Sequence, residues 1–380
     1  MNNLPFDIVL DEQFTRGTFV EIHIADIHFG AMEPELQYRI LQEQFIQRIQ
    51  DIRFDIISIN GDLYDRKFLA SEPAVRYANQ FIADLVRLCE LNGATLMILE
   101  GTETHDAFQL RSLYHYLKEP TIDFRIVETA SFQYVKGKTI LCLPEEYGKG
   151  EDYYKSLLNS RDYDACYMHG TFAGAIYNKN VENLDAPREP VFDINNFWRC
   201  TGPIIAGHVH TAQCLKGHFY YCGSPYRWQF GEEQPKGFFV LLQNLTTGMY
   251  YNHFEQITSF RYDTVDLDSI LLTDPDKVVK YIDTLRGEGI DHLRIKIRKY
   301  SDIVPLLKQH YRENKFIKID DKSKNEVALQ ATQDVLDKYK GLEFLYDPKL
   351  SEYQKFIMYV NHFEGEGFIT LDELMELLKE

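Results

Sequence analysis

The chain has 380 residues, 44% of them hydrophobic and 26% charged, and a formal net charge of −17 at pH 7. That is room for one large domain and one or two small ones, at the composition of an ordinary globular protein. No run approaches the ~18 apolar residues of a membrane span, the N-terminal stretch MNNLPFDIVLDEQF lacks the basic and apolar regions of a secretory signal, and the net charge, were it uniform, argues against a basic nucleic-acid binder.

The first expected element is a strand, Val20-Glu21-Ile22-His23-Ile24, which alternates with period two. Leu36 to Ile49 follows as an amphipathic helix. Short apolar runs of strand length lie at 54–59, 94–99, 139–143, 165–168 and 203–206. Between the first two of these runs, Ala78, Phe81, Ile82, Leu85, Leu88 and Cys89 fall on one helical face, with Ser71 as cap, Pro73 in the first turn and Gly93 as stop. Strands alternating with helices over the first two-thirds predict an α/β domain whose sheet is covered by helices. The six cysteines form no C-x-x-C pair, and they read as reduced core thiols of a cytoplasmic protein.

Character changes near residue 260. Residues 291–300, DHLRIKIRKY, place Leu293, Ile295 and Ile297 on one face and Arg294, Lys296 and Arg298 on the other. A helix-like segment from Ser301 to Arg312 and a second basic strand, KFIKI, follow. Residues 291–324 hold ten Lys/Arg against five Asp/Glu. Beyond Lys324 the pattern is helical, with capping-box spacing at Ser351/Gln354 and Thr370/Glu373 and an apolar stripe of Leu371, Leu374, Met375 and Leu378. The expected divisions are 1–260, 261–324 and 325–380. The stretch 362–373 has the Gly and Glu of a calcium loop, but His362 stands where such a loop needs Asp, so a plain helix–loop–helix is expected. No G-x-x-x-x-G-K-[ST] occurs, so no P-loop ATP site is expected.

Five polar clusters each follow an apolar strand directly: Asp26 with His28; Asn60-Gly61-Asp62 with Asp65; Gly101 to Asp106; His169-Gly170; and Gly207-His208-Val209-His210. In open α/β sheets, ligands bind at the carboxyl ends of strands. Carboxylate oxygen mixed with imidazole nitrogen, and no thiolate, suits Mn, Fe or Zn. A shared carboxylate would hold two ions ~4 Å apart, the arrangement that hydrolyses phosphate esters.

The ordered set D-x-H, G-D-x-x-D, a G…H-D loop, H-G and G-H-x-H resembles the calcineurin-like metallophosphoesterases. Within them it most resembles the SbcD-type DNA repair nucleases, partners of SbcC-type ATPases, including versions carried by phages. Tyr220-Tyr221-Cys222-Gly223-Ser224-Pro225-Tyr226, Phe230-Gly231-Glu232 and Lys236-Gly237-Phe238 add to the likeness. The resemblance implies a sandwich of β-sheets flanked by helices over residues 1–260, a small α/β capping, DNA-binding domain over 261–324 and ATPase-docking helices over 325–380. It implies that Asp26, His28 and His210 hold one metal, that Asp62 bridges, that His169 and His208 hold the second, and that His105 assists the leaving oxygen. Asp65 and Asp106 would orient ligands or His105, and Arg294, Lys296 and Arg298 would contact DNA phosphates.

The implied activity is Mn²⁺-dependent exonuclease or endonuclease action on DNA ends, by a homodimer working with an SbcC-like ATPase in the cytoplasm, the host's if the chain is viral. The rivals are a phosphatase or cyclic-nucleotide phosphodiesterase, and a non-catalytic scaffold of the same fold. The loop Gly101-Thr102-Glu103-Thr104-His105-Asp106 departs from the family's G-N-H-D: it has two extra residues and no Asn. Counting back from His105, Thr104 stands where Asn would be, with Glu103 or water as other substitutes, and a loosely held second metal is expected.

Overall fold

A computed structural model describes residues 18–177, 191–232, 234–267, 274–287, 289–298, 303–321, 344, 350–364, 370, 372–373 and 376. The chain divides into two compact units, Met1–Thr264 with Leu285–Leu293, and Val265–Thr284 with Arg294–Glu380. It is a mixed α/β protein with two large mixed sheets flanked by helices. Among the described residues no helix is long and apolar enough to cross a membrane.

In the first unit the elements are β1 (Thr18–Ile24), α1 (Pro34–Leu41), β2 (Ile56–Asn60), α2 (Pro73–Asn92), β3 (Thr95–Leu99), β4 (Asp123–Val127), β5 (Ser131–Val135), β6 (Lys138–Leu143), α3 (Glu151–Leu158), β7 (Ala165–His169), β8 (Thr171–Phe172), β9 (Val191–Phe192), β10 (Ile204–Gly207), β11 (Gln213–Leu215), β12 (Phe219–Tyr221), β13 (Gly237–Asn244) and β14 (Tyr250–Gln256). One six-stranded sheet has the order β14-β13-β1-β2-β3-β4, the other β11-β12-β10-β7-β6-β5. Strands β1 to β4 run parallel, as do β6, β7, β10 and β12, and antiparallel strands flank each set. The parallel strands are apolar runs because both faces are covered.

On the outer face of the first sheet, Ile22, Ile24, Ile57 and Ile98 pack with Phe45 and Phe81 of the helices. On its other face, Phe19, Met97 and Leu241 share a core with Cys142, Tyr167 and Ile205 of the second sheet. The outer face of the second sheet is closed by Tyr154, Phe172 and Phe197. Period two therefore turns Glu21 and His23 of β1 into the core shared by the sheets.

The helix expected from Leu36 to Ile49 is α1 followed by a π-helical turn (Gln42–Ile46) and a short α turn (Gln47–Ile49). The wider turn keeps Leu41, Phe45, Ile46 and Ile49 all buried. Helix α2 begins at Pro73 and ends on Gly93 at φ 57°, as its sequence predicts. The expected cap, Ser71, does not cap it. Glu72 holds that position with no side-chain cap bond, its carboxylate turned back to the Leu69 N–H at 2.8 Å.

Further along come β15 (Tyr262–Asp266), α4 (Pro275–Gly287), β16 (His292–Ile297), α5 (Ile303–His310), β17 (Ile317–Asp321) and α6 (Glu352–Glu364). A three-stranded sheet has the order β15-β16-β17. Strand β16 buries Leu293, Ile295 and Ile297, as its alternation predicts. Both capping boxes form: Gln354 Oε1 accepts from the Ser351 N–H (2.8 Å), and Glu373 Oε2 from the Thr370 N–H (2.8 Å). The stripe of Leu371, Leu374, Met375 and Leu378, and most of the calcium-loop-like stretch, lie outside the described residues.

Candidate metal centre

The carboxyl ends of β1, β2, β3, β6, β7 and β10 meet at one edge of the two large sheets. The loop after β1 is laced to the loop after β2 by the N–H groups of Asp26, His28 and Phe29, which donate to the carbonyls of Gly61, Asp62 and Leu63 at 3.1, 3.0 and 2.9 Å. Asp26, His28, Asp62 and His208 have φ of 51°, 50°, 54° and 92°. Non-glycine residues avoid that region at a cost of about 1–3 kcal/mol each, and such strain clusters at functional sites. Gly101 is required by close approach: a Cβ there would lie 2.2 Å from the Asp62 backbone nitrogen.

Two groups of potential metal ligands result, Asp26–His28–His210 and Asp62–His169–His208, each with donor atoms within 4.8 Å of one another. The first and second groups touch through His28 Nε2, which is 3.1 Å from His210 Nε2 and 3.6 Å from Asp62 Oδ2. In the second, His169 Nε2 is 3.3 Å from Asp62 Oδ2 and 3.3 Å from His208 Nδ1. A third group, His28–Asp65–His105, adjoins the first.

The chemistry of these donors fits a cation. His169 Nδ1 faces the Asn60 carbonyl at 2.8 Å and His210 Nδ1 faces Glu232 Oε1 at 3.2 Å. Each contact places a ring proton on Nδ1 and turns Nε2 inward, the way outer partners orient metal-binding imidazoles. Asp26 Oδ2 and His28 Nδ1 are buried without a hydrogen-bond partner. Burial drives the His28 imidazole well below its usual range, so it is neutral and presents a lone pair. Burial also raises Asp26. It opposes ionisation of Asp62 as well, but the adjoining His169 outweighs it and holds Asp62 well below the carboxylate range. The same pairing overcomes burial at His169 and lifts it to about 10. A divalent ion bound there would displace that proton.

His105 Nδ1 bonds the main-chain oxygen of Asp65, and its ring lies edge-on to His28 with centroids 4.5 Å apart. Asp65 thus orients His105 through its backbone, while its carboxylate is 3.7 Å from His28 Nδ1. Asp106 has a different part from the one its position beside His105 suggests. Its carboxylate accepts from the N–H groups of Asp62 (3.0 Å), Tyr64 (3.0 Å) and Gly101 (2.8 Å), and so ties the loop after β2 to the loop after β3. Burial and the neighbouring Asp62 and Glu100 raise it well above the usual range.

The loop expectation is corrected. Glu103 and Thr104 are exposed. Thr102, buried, carries the hydroxyl that enters the second group, and its N–H donates to Asp62 Oδ1 at 2.6 Å. The Thr102 carbonyl accepts from the N–H groups of both His105 (2.9 Å) and Asp106 (3.0 Å), so the two extra residues form the tip of a tight turn pointing away.

Sequence reading also missed Glu145, just past β6, whose Oε2 is 3.7 Å from His208 Nδ1 and 4.0 Å from His169 Nε2. The signal was there: Pro144-Glu145 follows an apolar strand like the other five clusters. Buried supports were missed too. Gln37 Nε2 donates to the His28 carbonyl (2.8 Å), Tyr226 OH to the Ile27 carbonyl (2.6 Å), and Lys236 Nζ to the His210 carbonyl (2.9 Å). They fix the two D-x-H and G-H-x-H loops, which gives the G-S-P-Y…F-G-E…K-G-F stretch a structural task.

Trp228 lines the centre, its ring centroid 5.0 Å from that of His28 and 4.9 Å from that of His210. Trp198 is 64% exposed. His23, His218 and His253 have contacts with Glu21, the Lys216 carbonyl and Glu255. Of the expected DNA contacts, Arg294 and Lys296 are half-buried on β16, and Arg298 is exposed and 3.6 Å from Asp266.

No family model matches the chain, and no curated protein matches it. Among solved structures, one crystal structure is 13% identical with a TM-score of 0.40, covering 63% of this chain and 100% of the other. A cold-active protein tyrosine phosphatase, determined at 1.1 Å, is 12% identical with a TM-score of 0.28, covering 62% of this chain and 78% of that one. Both overlaps are too loose to define a fold or a function.

Proposed function

We propose that this chain is a metal-dependent phosphodiesterase that cuts DNA ends, the nuclease subunit of an SbcCD-like complex with the metallophosphoesterase sandwich fold. The supporting observation is the pair of His–carboxylate groups joined through His28 and Asp62 at one strand edge. Asp26, His28 and His210 would hold one divalent ion, Asp62, His169 and His208 the other, with Mn²⁺ as the first candidate. When bound, the two ions would neutralise charge on the phosphoryl oxygens and lower the barrier to in-line attack.

The chain's own residues supply the rest. With Nδ1 committed to the Asp65 carbonyl, His105 keeps Nε2 as the nitrogen for the leaving oxygen. Gln37 and Tyr226 hold the loop of Asp26 and His28, and Asp106 holds that of Asp62. Trp228 supplies an apolar wall beside His28 and His210. Arg294, Lys296 and Arg298 would contact phosphates, the source of a salt-sensitive affinity. Since no P-loop occurs in the sequence, ATP control would come from a separate SbcC-like subunit.

A nuclease assay on linear DNA with Mn²⁺, run with and without an SbcC-like ATPase, tests the reading. Cleavage by the native chain is expected, with a loss of about 10²–10⁴-fold in His105→Ala. DNA left intact under both conditions, while a small phosphoester is hydrolysed, would replace the nuclease with a phosphatase.

A further inference from the structure

The second group holds more than the three ligands that its sequence motifs suggest. Thr102 Oγ1 lies 3.3 Å from Asp62 Oδ2, 3.3 Å from Glu145 Oε2, 3.3 Å from His169 Nε2 and 3.4 Å from His208 Nδ1. Around one cation with ligands at about 2.1 Å in octahedral arrangement, adjacent ligands lie roughly 3.0 Å apart and opposite ones roughly 4.2 Å. The hydroxyl is spaced from the other four atoms much as one apex is from its four neighbours. His169 Nε2 is 3.3 Å from Asp62 Oδ2 and from His208 Nδ1, as adjacent ligands are, and 4.0 Å from Glu145 Oε2, as opposite ones are, while His208 Nδ1 and Glu145 Oε2 are 3.7 Å apart, between the two spacings.

We propose that Glu145 and Thr102 are ligands of the second cation, completing with Asp62, His169 and His208 a five-donor site of three oxygens and two nitrogens. The inference rests on the two-cation reading above. The two adjacent glutamates are used differently. Glu146 accepts from the Ala130 N–H (2.8 Å) and from Tyr153 OH (3.1 Å), whereas Glu145 turns its carboxylate into the cluster. The Glu145 N–H donates to the Glu100 carbonyl at 3.1 Å, which fixes the loop beside β3 and brings the carboxylate to Thr102. A second carboxylate where the resembled family has a neutral amide makes this site harder and more anionic. Relative to such an amide site, the added carboxylate shifts the preference towards Mn²⁺ and Mg²⁺, and it holds the second ion firmly rather than loosely.

The test is a Mn²⁺ titration of the full-length chain, followed by calorimetry and by the paramagnetic resonance signal of free Mn²⁺. The native protein is expected to take up two ions. Glu145→Gln is expected to weaken one of them at least tenfold and leave the other unchanged, with Thr102→Val weakening the same one by less and exposed Glu103→Gln weakening neither. Glu145→Asp, which keeps the charge but shortens its reach, carries the test if the glutamine variant does not fold. Two ions bound with native affinity by the Glu145 variants would overturn the proposal. So would loss of both ions, because Glu145 would then be holding the loop and not one cation. A native chain that takes up no Mn²⁺ would instead remove the two-cation reading itself.

Discussion

Two buried polar clusters lie on the same strands a few residues apart, and their chemistry differs. Glu21 and His23, in the middle of β1, meet Lys138 of β6 and Tyr167 of β7, all four fully buried. Glu21 accepts from Lys138, from Tyr167 and, at 3.2 Å, from His23. Burial alone would raise the Glu21 carboxyl, yet Lys138 and His23 hold it at about 2. Asp26 and His28, just past the end of β1, meet His210 and His169, and here carboxylate and imidazole groups crowd together. In the first, closed cluster acid meets base, and His23 Nδ1 alone is left without a partner. The second, open one leaves a carboxylate oxygen, Asp26 Oδ2, unsatisfied as well as His28 Nδ1. A buried carboxylate oxygen needs a partner, so the first cluster reads as architecture and the second as a binder of cations.

The largest expected effect breaks the closed cluster. Lys138→Met leaves the Glu21 carboxylate buried without its cation, and removing one partner of a buried pair costs about 3–5 kcal/mol. Urea unfolding at neutral pH should show that loss equally with chelator and with Mn²⁺. Its pH dependence is fixed in sign. Because the folded Glu21 carboxyl is depressed, its stabilisation is complete above the unfolded value of about 4.3 and fades as pH falls towards about 2. The gap between native and Lys138→Met proteins should therefore narrow between those values. A gap that stays constant would mean that Glu21 and Lys138 are not a charged pair.

The open cluster should behave in the opposite way. Mn²⁺ at a hundred times its dissociation constant would stabilise the native chain by about 2.7 kcal/mol per site, read as a rise in Tm over the chelated protein. Asp62→Asn should abolish most of that rise. In chelator it should also cost stability, because His169 then loses the carboxylate that holds its proton, but unlike the Lys138→Met loss this deficit should widen when Mn²⁺ is added. An Asp62→Asn deficit that is the same with chelator and with Mn²⁺ would erase the distinction between the clusters.

Much of this was legible in the sequence, for a physical reason. An apolar strand that ends abruptly in Asp or His marks the carboxyl edge of a sheet, and five such endings brought Asp26, His28, Asp62, His169, His208 and His210 into view, while the family resemblance implied which of the clustered residues are ligands. Alternation likewise foretold which residues of β16 are buried. What stayed illegible depends on how a loop folds. Counting back from His105 selects Thr104, but the turn closed by the Thr102 carbonyl throws Glu103 and Thr104 outward and leaves Thr102 inside. Sequence adjacency pairs Asp106 with His105, whereas the carboxylate accepts from Gly101 in its own loop and reaches across to the Asp62 and Tyr64 N–H groups of the loop after β2. Glu145 and Glu146 are alike on paper, and only the backbone after β6 decides which one turns inward. Gln37 acts on His28 through a helix that looked merely amphipathic.

The smallest effect is optical, and it locates the open cluster directly. The sequence has two tryptophans. Trp228 stands within 5.0 Å of the His28 ring, whereas Trp198 is on an exposed segment, its indole N–H donating to Asn159 Oδ1 at 2.7 Å. A paramagnetic ion held by Asp26, His28 and His210 would lie against the Trp228 ring and quench its fluorescence. In Trp198→Phe, Mn²⁺ should therefore dim the remaining emission along the binding curve, and diamagnetic Mg²⁺ should dim it less. Adding His210→Ala to that variant should flatten the response. Quenching that survives the loss of His210 would place the ion elsewhere. In that case the crowded imidazoles beside Trp228 would be, like Glu21 and its partners, a cluster that serves only the fold.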